Sequence, residues 1–125
     1  MVDAANVVGV VPDGWWRRRA EAAELLRDAL APVAERGLPG GDLPPPLEVV
    51  LVVEGAASRV AGSPTVRVVA APGSGDDAIV DLVAREGPAR RRAVVTADRA
   101  LRSRVMELGA AVVPPSALPP RARLP

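Results

Sequence analysis

A chain of 125 residues buries roughly two thirds of the surface its unfolded form exposes, so one domain is the expectation. Its 16 basic side chains are all Arg, set against 15 acids, and a net charge of +1 argues neither for nor against a polyanionic partner. Cys and His are both absent, which excludes disulfides, thiol nucleophiles, cysteine–histidine zinc sites and every triad built on imidazole.

Chemistry in such a chain must rest on carboxylates, hydroxyls, Arg and a borrowed cation. Two Trp are the only aromatic residues, so the core must be aliphatic. The longest apolar run, Val49 to Val53, is far too short to span a bilayer, and no membrane partner is expected. No secretory leader is legible at the N-terminus, which makes the cytoplasm the expected location.

In chain order, Val2 to Ala5 reads as a short buried strand, followed by a loop from Gly9 to Gly14. Ala22, Ala23, Leu26, Ala29 and Leu30 recur at helical spacing, which predicts a helix over Trp15 to Ala31 that ends or kinks at Pro32. Leu38 to Pro46 is a loop by composition. Leu47 to Glu54 is a nearly continuous Val-rich run, the mark of a strand buried on both faces of a parallel sheet.

After a loop over Gly55 to Thr65, strands are expected at Val66 to Ala71, Ala93 to Thr96 and Ala111 to Val113. Between them, helices are expected at Asp76 to Glu86 and Arg99 to Leu108. Strands alternating with helices define a three-layer α/β/α domain with a central parallel sheet, placed at residues 1–118, with residues 119–125 as a disordered tail.

Parallel sheets of this kind bind ligands at the carboxyl ends of their strands. Asp3 and Asn6 follow the first strand, Glu54 closes the second, Thr96 and Asp98 follow the fourth, and Asp76 and Asp77 open a helix. All project from one edge. Several carboxylates gathered in a dry cleft without Lys repel one another, and a divalent cation relieves that repulsion; Mg²⁺ or Mn²⁺ suits an oxygen-only shell.

A plainer reading competes at each position. Asp98 before a helix suits an N-cap, and Ser74-Gly75-Asp76-Asp77 resembles a capping box with acids in the first turn. Asp81, one turn beyond Asp77, suits a solvated surface, and Glu54 a polar strand end. Capping alone does not explain why Asp3, Asp77 and Asp98 share an edge.

The segment Val2-Asp3-Ala4-Ala5-Asn6-Val7-Val8-Gly9 resembles the opening Asp-Gly-x-Asn motif of the NYN branch of PIN-like nucleases, in particular the YacP-like group. Gly75-Asp76-Asp77-Ala78-Ile79-Val80-Asp81 is similar to that group's helix-opening acidic motif. Val94-Val95-Thr96-Ala97-Asp98-Arg99 is similar to its Thr-x-Asp-Arg segment, and Leu108-Gly109-Ala110 to its Gly-Ala before the last strand. Ala4 stands where the motif usually has Gly, which bears on how closely a phosphate can approach the backbone.

The resemblance implies strand order 3-2-1-4-5 and an Mg²⁺- or Mn²⁺-dependent ribonuclease. Asp3, Asp77 and Asp98 would be catalytic metal ligands joined by Asp76, with Asn6, Thr96, Asp81 and Glu54 in support. Arg17, Arg18 and Arg99 could meet phosphates, and Trp15 could stack on a base of single-stranded RNA. For the Trp residues, packing onto the sheet is the plainer role, and Arg90-Arg91-Arg92 reads as a solvated turn at the opposite edge.

Two other readings stay open: a metal-dependent nucleotide pyrophosphohydrolase using the same acids, and a non-catalytic RNA-binding module. A homo-oligomer is also open. A phosphorelay receiver is excluded by the missing acidic pair and late Lys, a P-loop by the lack of its Gly-rich turn. A haloacid-type phosphatase is excluded because Ala5 stands where its second Asp belongs.

Overall fold

The computed structural model describes residues 1–4, 19–38, 43, 45–55, 59–87 and 91–118. The elements are β1 (Val2–Asp3), α1 (Arg19–Leu30), α2 (Val33–Arg36), β2 (Val49–Val53), β3 (Val66–Ala70), α3 (Gly75–Glu86), β4 (Ala93–Val95), α4 (Arg99–Glu107) and β5 (Ala111–Val113). A single 3-10 turn over Pro115–Ala117 follows. The five strands form one sheet in the order β3-β2-β1-β4-β5, and every neighbouring pair is parallel.

Strand β2 shows why the sheet is covered on both faces. All five of its residues are buried, and side chains alternate between faces with a period of two. Val49, Leu51 and Val53 enter one apolar cluster with Ala23, Leu26 and Leu30 of α1. Val50 and Val52 enter the other, with Ile79 and Val83 of α3 and Leu101 and Val105 of α4. The helices therefore lie on opposite faces, α1 on one and α3 with α4 on the other.

Local chemistry sets the element ends. Helix α1 stops at Leu30 because the ring of Pro32 disfavours helix at the residue before it, and the chain restarts as α2 with Pro32 at its N-cap. At Gly37, which has φ of 75°, a Cβ would stand 2.5 Å from the Leu43 carbonyl oxygen, so neither the turn nor the space admits a side chain. The expected first strand is shorter than its reading: β1 ends at Asp3, which pairs with Val52. The Met1 nitrogen extends the ladder by donating to the Ala93 carbonyl at 2.8 Å.

Arg92 departs from the solvated turn expected of it. Its guanidinium donates to the Val83 carbonyl at 2.6 Å and to the Leu108 carbonyl at 2.5 Å. Both carbonyls lie at helix C-terminal ends, where the last four lack intrahelical donors. A planar fork with five N–H groups can serve two of them at once. Arg92 thus ties the ends of α3 and α4 to the start of β4.

No helix among the described residues is long and apolar enough to cross a membrane.

Candidate active site at the switch point

From β1 the chain moves to β2 on one side, and from β3 it crosses back to β4 on the other. The switch point of this order lies between β1 and β4, where an open crevice forms at the carboxyl ends. Val2 pairs with Val95 across it. Asp3 ends β1 and is 5% exposed; Thr96 follows β4 and is 1% exposed. These are the two buried polar residues at the seam.

They are joined. The Thr96 hydroxyl donates to Asp3 Oδ2 at 3.4 Å and accepts the Asp98 backbone N–H at 3.1 Å. Asp98 is the N-cap of α4, its Oδ1 accepting the Leu101 amide at 2.9 Å. The capping role foreseen for Asp98 is thus real, and it uses one carboxylate oxygen. The other oxygen is the one a ligand could take.

The start of α3 brings in two more acids. Ser74 is the N-cap, its hydroxyl accepting the Asp77 amide at 3.3 Å. Glu54, just beyond β2, accepts the Gly75 amide through Oε2. Partial burial first, and then the negative charges of Asp98, Glu54 and Asp77, hold the Asp76 carboxyl above the usual carboxylate range, with Arg104 pulling the other way.

Adjacent residues on a helix point about 100° apart, and here Asp76 is half-buried while Asp77 is exposed. Asp77 lies outward, its side chain 68% exposed and paired with Arg104 Nη2 at 2.9 Å. Asp81 is exposed on the same helix, and Arg99 is exposed at the start of α4. Hydrogen bonds link Asp3, Thr96 and Asp98, Asp76 feels the charges of Asp98, Glu54 and Asp77, and Asp81 stands outside that series. Asn6, Trp15, Arg17 and Arg18 lie outside the described residues.

The sequence reading missed Arg104, whose only signal was a position one face away from the buried Leu101 and Val105. It also missed the partnership of Gly75 with Glu54, signalled by a glycine at the first position of a helix.

Among the described residues no group of three or more acidic side chains stands close enough together to hold a metal ion. The donors are nonetheless of the right chemistry, oxygen only, and Asp76 is held up by burial first and then by the charges of Asp98, Glu54 and Asp77. Mg²⁺ commonly takes one or two carboxylates and completes its shell with water and substrate phosphate, so a spaced acidic edge suits it better than a closed cage would. A cavity of about 320 Å³ opens at the opposite end of the strands, lined by Leu30, Val33, Leu47, Val49 and Leu118 among others. None of the crevice acids lines it.

A doubly wound α/β/α sandwich with acids at its switch point is the class this arrangement defines. No protein-family model matches the chain, and no curated protein matches it. Among solved structures it is similar to the crystal structure of a mutant of Rae1 (YacP) from Bacillus subtilis, with a TM-score of 0.65 and 21% identity. The match covers 93% of this chain and 69% of that one. The chain has a YacP-like fold.

Proposed function

We propose that this protein is a divalent-metal-dependent ribonuclease that hydrolyses phosphodiester bonds at the carboxyl edge of its sheet. The observation that supports it most is the series from Asp3 through Thr96 to Asp98 at the switch point, with Asp76 raised beside it. The YacP-like fold adds the resemblance of three acidic segments, in the same order, to those of the NYN nucleases.

Asp3 and Asp98, joined through Thr96, would hold Mg²⁺ or Mn²⁺, with water and substrate phosphate completing the shell. When bound, the ion would lower the pKa of a coordinated water and offset charge on the phosphate oxygens. Thr96 fixes the relative placement of Asp3 and Asp98. Asp76, half-buried at the same edge, is the side chain proposed to accept and return a proton in a chain without His. Arg99, exposed beside Asp98, is placed for a backbone phosphate, and the same role is proposed for Arg17 and Arg18, with Trp15 stacking on an unpaired base. Asp77, exposed and paired with Arg104, is the acid this reading leaves out of the metal shell.

The test is cleavage of an end-labelled single-stranded RNA in EDTA, Mg²⁺ or Mn²⁺ by wild type, Asp76→Asn and Asp77→Asn. Metal-dependent cleavage that is lost in Asp76→Asn and largely kept in Asp77→Asn supports the reading. No cleavage by wild type in either metal overturns it. Turnover of nucleoside triphosphates without RNA cleavage would point to a nucleotide hydrolase instead.

A further inference from the structure

We propose that Glu54 is a positioning residue, which fixes the first turn of α3 and thereby the placement of Asp76 at the crevice edge. The proposal deepens the nuclease reading and rests on it.

Glu54 follows the most buried strand of the sheet, β2, which is paired on both sides by β1 and β3. Its backbone is therefore among the best-held points at this edge. Its carboxylate accepts the Gly75 amide, the first of α3. The first four amides of a helix have no intrahelical acceptor, and here Glu54 takes that of Gly75 while Ser74 takes that of Asp77. Asp76 lies between these two anchored positions.

Gly75 is buried, and a Cβ built on it would stand 2.9 Å from Glu54 Oε2. A side chain at this position would push the flexible end of Glu54 back from the amide. With the first turn held in this way, Asp76 stays half-buried and Asp77 is exposed, where it meets Arg104. Glu54 acts through Asp76 and has one oxygen already engaged by the helix.

Three variants separate positioning from ligation. Glu54→Gln keeps an acceptor for the amide and removes the charge. Glu54→Ala removes both. Gly75→Ala crowds the same contact from the other side, so that the flexible end of Glu54 must give way, while supplying a better helix former. The expected result is that Glu54→Gln retains turnover within about threefold and Glu54→Ala loses about tenfold to a hundredfold in kcat at little changed KM, with Gly75→Ala between them.

A readout independent of activity is the Gly75 amide proton, followed by NMR without metal. It should lie downfield in wild type, move modestly in Glu54→Gln and collapse upfield in Glu54→Ala. Glu54→Gln as inactive as Glu54→Ala would overturn the proposal in favour of a ligand role, and fully active Glu54→Ala would overturn it outright. Should wild type fail to cleave RNA, the nuclease reading falls. The amide shift would then still decide whether Glu54 anchors the helix.

Discussion

The Thr96 hydroxyl donates to the Asp3 carboxylate at 3.4 Å across a sequence separation of 93 residues, and the same oxygen accepts the Asp98 amide at 3.1 Å. One buried hydroxyl thus fixes two acids from different strands relative to each other. Thr96→Val keeps the shape and removes both contacts. It should cost about 1–3 kcal/mol in the denaturant midpoint, because a buried amide and carboxylate lose a partner. RNA cleavage should fall more steeply than stability.

Asp98 combines capping with the proposed ligand role, and substitution can separate them. Asp98→Ser retains a side-chain oxygen for the Leu101 amide, so stability should change by only a few tenths of a kcal/mol. Asp98→Ala should cost about 1 kcal/mol by the same measure. Both should lose cleavage, and cleavage kept in Asp98→Ser would restrict the residue to capping.

Asp76 gives stability a distinctive pH dependence. Its folded-state pKa is raised, so the folded state binds its proton more tightly than the unfolded chain does. The stability this contributes is complete below the unfolded carboxylate range and is lost as pH rises through the higher folded value. Thermal melts in EDTA should therefore show Asp76→Asn gaining on wild type as pH increases from about 4 towards neutrality. A constant difference across that range would contradict the electrostatic account of the site.

Arg104 and Asp77 form a surface pair with side chains 45% and 68% exposed. Arg104→Ala should change stability by less than about 1 kcal/mol, and its pairwise term in a double-mutant cycle with Asp77→Ala should shrink with added salt.

Arg92 is the opposite case, a charge turned inward. Arg92→Met removes donors to Val83 and Leu108, whose carbonyls close two helices. The buried Nε has no partner among the described residues, which offsets part of the gain. The expected loss is about 2–3 kcal/mol in chemical denaturation. The Gly75 amide shift, at the other end of α3, should stay in place.

Much of the fold could be read along the chain. Val49 to Val53 is apolar at every position, and only a strand covered on both faces suits such a run. Ile79 with Val83, and Leu101 with Val105, carry the helical spacing that seats α3 and α4. Ser74 and Asp98 announced the helix starts they cap. Pro32 announced the end of α1, though not the short α2 that follows it.

What sequence alone determined was therefore the order of elements, the buried strands and the edge at which the acids lie. These depend on local periodicity and on which chain ends carry polar residues. Tertiary structure decided how the acids are partnered. Asp76 and Asp77 are equivalent as letters, and only the seating of α3 on the sheet leaves one half-buried and the other exposed against Arg104. Arg91 and Arg92 are likewise neighbours of one type, yet Arg92 reaches two helix ends that no local pattern brings near. A side chain's direction depends on the packing of distant segments, and that information is shared among residues far apart in the chain.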